Sequence, residues 1–314
     1  MDFTGKTVVI TGATGLIGSE LVEQFTAAGA DVISAVRNTA RARGRRVKYD
    51  AAAPLDFDFR ADIVVHAACS AHPMAYSTDP AGVMRANITG TMNLLDYAVQ
   101  HGSRFVFLSS GEIYGNDPVS ESGFTEDETG KIDTMNPRAC YPESKRAAET
   151  MVAAWAKQYG CDALVARLCH VYGPAISPAN SRADAQFLRN ALAGEDIVMK
   201  SAGSQVRSFM YVKDAARAIM LLCERGVPGE AYNVANRSSV ASIREYAATL
   251  ARLAGVSLKF ENPDDVEAAG YSKVSRAVLD PSKLEKLGFR AEYDLEKGLK
   301  ETLERWGEMG YSAS

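Results

Sequence analysis

Thr11-Gly12-Ala13-Thr14-Gly15-Leu16-Ile17-Gly18 forms the turn between the first predicted strand and the first predicted helix of this chain. The strand is predicted at residues 7–10 and the helix at residues 18–28. In order, the three glycines permit a tight turn, close approach of the backbone to a pyrophosphate, and close packing of helix on strand. A pyrophosphate could bind the free N–H groups at the helix N-terminus, so this segment predicts a dinucleotide site.

Strands and helices continue to alternate through the first half of the chain. Further apolar strands are predicted at residues 31–36, 63–67, 104–109 and 163–168, and helices at residues 83–101 and 141–159. This pattern predicts an α/β Rossmann fold, in which a doubly wound parallel sheet is covered on both faces. After Pro174 the pattern becomes irregular. We therefore expect an NAD(P)-binding Rossmann domain at residues 1–173, to which the segment 207–236 returns, and a smaller mixed α/β substrate-binding lobe at residues 174–314.

The composition of the 314 residues, with 46% hydrophobic and 24% charged side chains, is that of a soluble globular protein. A net charge of −4 gives no electrostatic reason to expect a nucleic-acid partner. The sequence has neither a signal-peptide pattern at its start nor an apolar run near the roughly 20 residues that span a bilayer, so we expect a cytoplasmic protein without membrane contact. The five cysteines are unclustered, and His66, His72, His101 and His170 show no zinc-ligand spacing with them. This distribution predicts reduced thiols and no metal site.

Ser110, Tyr141 and Lys145 are the candidate catalytic group. Tyr141 and Lys145 are four residues apart and share one face of a predicted helix, and Ser110 follows a predicted strand. A tyrosine that accepts a proton near pH 7 needs its pKa lowered by about three units, or about 4 kcal/mol. One positive charge at about 4–5 Å supplies that much at an effective dielectric of 20, and we expect Lys145 to be this charge, with help from the oxidised nicotinamide. The group predicts proton transfer at a hydroxyl during hydride transfer to or from a nicotinamide.

Glu112 is a further catalytic candidate. Residues two apart on a strand point to the same side, so Ser110 and Glu112 are expected to face one substrate. The alternative for Glu112 is a structural hydrogen bond at the end of the strand.

Several motifs together resemble the extended short-chain dehydrogenase/reductase family, in its NAD-dependent epimerase/dehydratase branch. They are the Gly-x-x-Gly-x-x-Gly spacing of the first turn and the segments 65–68, 87–95, 167–174, 207–214 and 280–288, which span nearly the whole chain. The resemblance implies that the cofactor contacts Gly12, Thr14, Gly15, Leu16, Ile17, Asp50, Ala67, Ala68, Asn87, Ser109, Tyr141, Lys145, His170 and Val171. It implies that a nucleotide-diphosphate sugar contacts Ser110, Tyr172, Asn180, Gln186, Arg207 and Arg276, with Arg182 nearby. Met74 and Tyr76 either line the sugar pocket or pack within a loop.

The end of the second strand departs from the NAD-binding pattern. NAD-binding members carry an acid there that binds the adenosine ribose, whereas this chain has Arg37 and no acid. Arg37 could hold a 2′-phosphate, so NAD is the expected cofactor with NADP as an alternative. The basic run Arg41, Arg43, Arg45 and Arg46 could assist, although we favour a solvated loop for it.

The motif around Glu112 indicates the reaction. The resemblance is closest to UDP-glucuronate decarboxylases, because 4-epimerases lack this glutamate and 4,6-dehydratases carry an aspartate where this chain has Gly111. Segment 136–150 and Arg207 also resemble the decarboxylases, although Arg207 could equally hold a diphosphate. We therefore expect a 4-keto-sugar intermediate and decarboxylation of a UDP-glucuronate-like substrate, with 4,6-dehydration or 4-epimerisation as alternatives.

Two other functions and the assembly state also follow from the resemblance. An NADPH-dependent carbonyl reductase and a non-catalytic dinucleotide sensor share the fold, and the sensor is disfavoured because Tyr141 and Lys145 are both present. The predicted helices at residues 83–101 and 141–159 resemble a pair that forms a four-helix dimer interface in relatives. This resemblance implies a homodimer.

Overall fold

The computed structural model describes residues 1–308 except residues 43, 70, 72, 116, 117, 119, 176–179, 181 and 262–273. Arg43 and His72 therefore lie outside the described residues. The strands are β1 Thr7–Thr11, β2 Asp31–Val36, β3 Arg45–Lys48, β4 Ile63–His66, β5 Arg104–Ser110, β6 Ala163–Leu168, β7 His170–Tyr172, β8 Ile197–Met199, β9 Val206–Tyr211, β10 Ala231–Val234, β11 Val240–Ser242, β12 Leu258–Phe260 and β13 Arg276–Ala277. The helices are α1 Leu16–Ala27, α2 Pro73–Thr78, α3 Pro80–His101, α4 Cys140–Tyr159, α5 Ala183–Leu192, α6 Val212–Arg225, α7 Ile243–Ala254, α8 Ser282–Lys286 and α9 Leu295–Glu308.

The large sheet has seven strands in the order β3-β2-β1-β4-β5-β6-β10, and all neighbours are parallel. This is the doubly wound order, and the predicted Rossmann fold is confirmed. The strand order changes direction between β1 and β4. Ligands of such sheets bind at the carboxyl ends of the strands near this point, which is where the glycine turn after β1 lies.

Alternating side chains of the central strands pack into two separate cores. Val8 and Ile10 of β1 pack with Leu21 of α1 on one face, whereas Val9 packs with Leu94 of α3 on the other. Successive side chains of a strand point to opposite faces, so an uninterrupted apolar strand must be buried on both.

The remaining strands form two smaller sheets. In one, β9 pairs with β7, β11 and β13, and in the other β8 pairs with β12. Of the segment 207–236, the part in β9 belongs to the smaller sheet, whereas α6 packs on α1 and β10 joins the large sheet next to β6. No helix among the described residues is long and apolar enough to cross a membrane.

The basic segment after β2 is not a solvated loop throughout. Arg45 and Arg46 belong to β3, the edge strand of the large sheet, which pairs in parallel with β2. Arg45 forms an ion pair of 2.6 Å with Asp31, and Arg46 donates to the Ala42 carbonyl at 3.1 Å. The loop expectation is wrong here because a short, mostly exposed edge strand has no apolar run that would mark it in the sequence.

Helix α3 begins three residues earlier than predicted. The Asp79 carboxylate accepts a hydrogen bond from the Gly82 N–H at 3.0 Å, and Pro80 occupies the first turn. This aspartate cap and proline are a helix start signal that apolar periodicity does not register.

Candidate functional site

The glycine turn after β1 has the shape required for a pyrophosphate. Gly12 has φ of +67°, and a Cβ there would lie 2.9 Å from the Ala68 backbone. A Cβ on Gly18 would lie 2.2 Å from the Gly12 carbonyl oxygen, so only glycine permits the helix to pack on the turn. In the described part of the chain, no side chain caps the start of α1. Its first N–H groups therefore face the turn, and the predicted cofactor residues Gly12, Thr14, Gly15, Leu16 and Ile17 all belong to this cradle.

A buried hydrogen-bond network joins the ends of β1 and β4. Thr11 pairs with His66 in the sheet, its hydroxyl lies 2.9 Å from His66 Nδ1, and it accepts from the Ala68 N–H at 3.1 Å. Burial first, and then the Lys145 ammonium, lower the pKa of His66 to about 3, so the ring is neutral. The network fixes the predicted cofactor residues Ala67 and Ala68 against the glycine turn. Thr11 ends β1 and His66 ends β4, and neither was among the predicted site residues.

Ser110, Tyr141 and Lys145 meet at the carboxyl end of β5. Tyr141 is the second residue of α4, only 6% of it is exposed, and the nearby Ser110 side chain lowers the pKa of its phenol. The Lys145 ammonium is buried one turn later, donates to the Leu108 carbonyl at 2.7 Å and lies 5.8 Å from the Tyr141 ring centroid. The three side chains expected to act together are therefore neighbours.

The electrostatics of Tyr141 differ from the expectation. Burial raises the pKa of the phenol well above 10, and Cys69 and Glu112 add to the rise. The Ser110 side chain and the Arg182 charge lower the pKa, but burial outweighs them. These contacts leave the pKa of Tyr141 above its ordinary value, whereas we predicted that Lys145 and an oxidised nicotinamide together lower it. The Lys145 ammonium donates to the Leu108 carbonyl at 2.7 Å. The chain therefore holds Tyr141 as a protonated phenol.

Asn87 and Ser144 hold the start of α4 against α3. The Asn87 amide donates to the Ser144 hydroxyl at 2.8 Å, which in turn donates to the Tyr141 carbonyl at 2.9 Å. Within the described residues, the buried Asn87 Oδ1 and the buried Ser109 hydroxyl have no hydrogen-bond partner. Both belong to the predicted cofactor set, and both present a polar atom that a bound group could satisfy.

Tyr76 of α2 is part of this site. Its ring is buried and stacks on Tyr141, with centroids 4.8 Å apart and an interplanar angle of 17°. The Arg138 guanidinium lies 5.6 Å from the Tyr76 ring centroid. Met74 of the same helix is 57% exposed. Of the two residues left open by the sequence, Tyr76 contacts the catalytic group and Met74 faces outward.

Glu112 reaches the site by a different route from the one expected. Residues Gly111–Tyr114 form a 3₁₀ turn, and the Ser110 hydroxyl accepts from the Glu112 N–H at 3.2 Å. The argument from strand alternation is therefore wrong, because β5 ends at Ser110. The partly exposed Glu112 carboxylate lies 3.4 Å from the Arg138 guanidinium. Burial is the main cause that raises the pKa values of Tyr141 and Tyr76, and the Glu112 carboxylate raises both further. Glu112 therefore belongs to the same cluster.

A buried ion pair fixes this turn relative to α4. Arg167 of β6 pairs with Glu149 of α4 at 2.8 Å and donates to the Tyr114 hydroxyl at 2.9 Å. Tyr114 in turn donates to Asn233 of β10 at 2.8 Å. Because Tyr114 is in the turn and Glu149 is in the helix, the network sets the position of Glu112 relative to Tyr141.

Two arginines and a histidine form a further group, with His170 on β7 and Arg207 on the adjacent strand β9. Arg207 is buried and donates to the carbonyls of Val206 at 2.8 Å and Val274 at 3.0 Å. Burial, Arg182 and Arg207 together lower the pKa of His170 to about 3, against the Asp184 carboxylate that raises it. Arg182 forms a 3.1 Å ion pair with Asp184. A neutral histidine thus lies near two guanidinium groups, a surrounding that suits an anionic ligand.

The other predicted substrate residues are placed less favourably for contact with a substrate. Tyr172 is fully buried, and its hydroxyl donates to the Leu295 carbonyl at 3.3 Å, so it presents no open surface. Gln186 is exposed on α5 and bonds within that helix to Asn190 and Arg189. Asn180 accepts from the Arg182 N–H at 3.1 Å. The Arg276 guanidinium donates to the Glu121 carbonyl at 2.6 Å. Val171 is buried in β7 beside His170.

The predicted adenosine residues lie at the carboxyl ends of β2 and β3. Arg37 directly follows β2 and is exposed. Asp50 follows β3, is exposed, and accepts from the Ala52 N–H at 3.0 Å. No group of three or more His, Cys, Asp or Glu residues in the described ranges could hold a metal ion.

Comparison with known proteins agrees with this geometry. Residues 8–235 match the family model described as the NAD dependent epimerase/dehydratase family. UDP-glucuronic acid decarboxylase 1 of Xenopus tropicalis is 31% identical over 314 residues, covering 95% of this chain and 71% of the relative.

Solved structures of similar proteins have the same fold. MoeE5 in complex with UDP-glucuronic acid and NAD has a TM-score of 0.80 and 26% identity, covering 96% of this chain and 99% of that chain. UDP-glucose 4-epimerase of Thermotoga maritima has a TM-score of 0.83 and 24% identity, with coverage of 96% and 99%. The chain therefore belongs to the NAD-dependent epimerase/dehydratase family, whose members are enzymes of nucleotide-sugar metabolism.

Proposed function

We propose that this enzyme removes the C5 carboxylate of a UDP-glucuronate-like nucleotide sugar as CO2, through a 4-keto intermediate. The observation that carries the proposal is the contact of Ser110 with Tyr141, with Glu112 held in the turn that starts at Ser110. Ser110 and Tyr141 can hold a hydroxyl group and exchange its proton, and Glu112 adds a carboxylate. Oxidation of a hydroxyl alone does not need this carboxylate. Relatives named UDP-glucuronic acid decarboxylase support this choice.

NAD would lie along the carboxyl ends of β1, β2 and β5. The Gly12–Gly18 turn and the start of α1 suit its pyrophosphate, and Ser109, Asn87 and Lys145 lie on the nicotinamide side by resemblance. When bound, NAD accepts a hydride from the sugar and returns it, so it is unchanged overall.

Tyr141 and Ser110 would act on the C4 hydroxyl. Ser110 orients this hydroxyl, and Tyr141 exchanges the proton with its oxygen as the carbonyl forms and is later reduced. Burial of Tyr141 favours the protonated phenol. The protein therefore favours the state in which Tyr141 donates a proton to O4.

The ketone at C4 makes chemistry at C5 possible. It stabilises the enolate that forms when the C5 carboxylate leaves as CO2, and a proton is then delivered to C5. Glu112 and the cationic group of Arg182 and Arg207 are the candidates for positioning the carboxylate and the diphosphate. Expulsion of a 6-hydroxyl has less support, since Gly111 stands where the dehydratases carry an aspartate.

The proposal is tested by incubating the purified protein with NAD and UDP-glucuronate and analysing the nucleotide sugars by mass spectrometry and NMR. We expect CO2 and a UDP-pentose or its 4-keto precursor. Tyr141→Phe should abolish both products, and Glu112→Gln should retain C4 oxidation but lose CO2 release. Formation of UDP-galacturonate without CO2 would establish 4-epimerisation instead.

We also propose that the enzyme is a homodimer formed through α3 and α4. Met84, Met92 and Val99 lie seven or eight residues apart on α3, and each is between 38% and 40% exposed. Such a stripe of large apolar side chains along one helix face suits a second copy of the same helix pair. Light scattering should give twice the chain mass for the wild type and a monomer for Met92→Glu. A monomeric wild type would refute the proposal.

A further inference from the structure

Arg138 lies next to the catalytic group but takes no part in the proton and hydride transfers described above. It is the middle residue of a 3₁₀ turn, Pro137–Ala139, which leads directly into α4. The Asn136 side chain accepts from the Arg138 N–H at 3.0 Å and holds this turn in place. The backbone of Arg138 is therefore fixed three residues before Tyr141.

The Arg138 guanidinium contacts two residues of the site. It donates to the Glu112 carboxylate at 3.4 Å, and it lies 5.6 Å from the ring centroid of Tyr76, which stacks on Tyr141. The Arg138 side chain is 49% exposed. A guanidinium carries several N–H donors in a planar fork, and the bond to Glu112 uses only one of its nitrogens. Arg138 therefore presents donors to the same open space that Glu112 faces.

The other cations near the catalytic group have different partners. The Lys145 ammonium is buried and donates to a backbone carbonyl of β5. Arg182 forms a 3.1 Å ion pair with Asp184, and its side chain is 24% exposed, about half the value of Arg138. Arg138 is thus the more open of the two guanidinium groups near Tyr141.

A sugar that carries a carboxylate needs a cation at this place. When the C4 hydroxyl lies against Ser110 and Tyr141, the carboxylate on the neighbouring carbon enters the space beside Glu112. Two carboxylates in one site repel each other, and a cation between them offsets this repulsion. The pair of Arg138 with Glu112 joins two partly exposed side chains and contributes little by itself, so the guanidinium can be shared with a ligand at low cost.

We propose that Arg138 is the specificity-determining residue for an acidic sugar, because its guanidinium bridges the Glu112 carboxylate and the C5 carboxylate of the substrate. The proposal rests on the proposed uronate substrate and leaves Arg182 and Arg207 for the diphosphate. A neutral hexose has no anionic group for this guanidinium. Sharing with Glu112 also limits how strongly Arg138 stabilises the carboxylate, whose charge must be given up when CO2 leaves.

The test compares the binding of UDP-glucuronate and UDP-glucose, which differ in the carboxylate. Both are titrated by calorimetry into the Tyr141→Phe protein with bound NAD, since this background prevents turnover during the measurement. Adding Arg138→Met should weaken UDP-glucuronate binding about tenfold, or ~1.4 kcal/mol, and leave UDP-glucose binding unchanged. Adding Glu112→Gln instead should tighten UDP-glucuronate binding, because it removes the competing carboxylate.

Arg146→Met is the matched control. Arg146 is also an arginine near the start of α4, its side chain is 35% exposed, and it pairs with Glu143 at 3.7 Å. Its replacement should leave both affinities unchanged. The UDP-glucose affinity of each variant reports whether the site is still folded.

Equal losses for both sugars in Arg138→Met, or an unchanged affinity for UDP-glucuronate, would overturn the proposal. Weaker binding of UDP-glucuronate in Glu112→Gln would contradict the shared guanidinium. No chemical step occurs in the Tyr141→Phe background, so these outcomes are distinct from a failure of the wild type to release CO2.

Discussion

Ser110→Ala and Glu112→Gln should move the ionisation of Tyr141 in opposite directions. The Ser110 side chain lowers the pKa of the phenol, whereas the Glu112 carboxylate raises it. Removing the first should therefore raise the pKa, and removing the second should lower it. The rate of C4 oxidation increases as the phenol loses its proton, so a plot of this rate against pH has a rising limb. The limb should shift to higher pH in Ser110→Ala and to lower pH in Glu112→Gln.

The two shifts should differ in size. A hydrogen bond to a charged group contributes about 1.5–3 kcal/mol, which corresponds to about one to two pKa units for Ser110→Ala. Glu112 is partly exposed and lies 3.4 Å from the Arg138 guanidinium, so water and this partner screen its charge. We expect the pKa of Tyr141 to fall by about half a unit in Glu112→Gln.

The assay is the single-turnover formation of NADH at 340 nm with saturating UDP-glucuronate, measured between about pH 6 and pH 10.5. Oxidised nicotinamide adds a positive charge that favours the phenolate and brings the limb toward this range. Glu143→Gln is the matched control, because it removes a carboxylate two residues from Tyr141 that is not among the causes of the shifted pKa. Shifts of both test variants in the same direction, or an equal shift in the control, would refute the electrostatic account.

Three further substitutions test the packing around the site. Gly18→Ala should abolish NAD binding in a calorimetric titration, because its Cβ would lie 2.2 Å from the Gly12 carbonyl oxygen; retained affinity would contradict the cradle. Arg167→Met should lower the free energy of unfolding in urea by about 3 kcal/mol, because it leaves a buried carboxylate unpaired; a loss below ~1 kcal/mol would show that the pair is dispensable. Gly111→Asp should lower the melting temperature and yield no dehydrated sugar, because its Cβ would lie 3.1 Å from Leu279; an active dehydratase would contradict this steric reason.

The fold was predictable because its information is local. Apolar strands, helix periodicity and the glycine turn are each encoded within a few consecutive residues, and the large sheet follows from their order. Tyr141 and Lys145 could be paired for the same reason, since helix geometry alone places them on one face. Strand β3 escaped prediction because exposed arginines at a sheet edge give no apolar signal.

The rest of the site depends on contacts between distant segments. The stacking of Tyr76 on Tyr141 joins α2 to α4, and the grouping of His170 with Arg182 and Arg207 joins three separate segments of the chain. Glu112 lies at the predicted site, but strand alternation does not place it there, because the strand ends at Ser110 and a turn begins. Burial raises the pKa of Tyr141, and this contribution could not be predicted from the sequence, since desolvation depends on the whole surrounding fold.

The most direct test of the central claim is the conversion of UDP-glucuronate in D2O with catalytic NAD, followed by NMR. Decarboxylation through a C4 ketone requires a solvent proton at C5 and return of the hydride to C4. We predict stoichiometric CO2, a UDP-pentose with one solvent deuterium at C5, and no net change in NAD. A product that retains its carboxylate, or a decarboxylated product without deuterium at C5, would contradict the account.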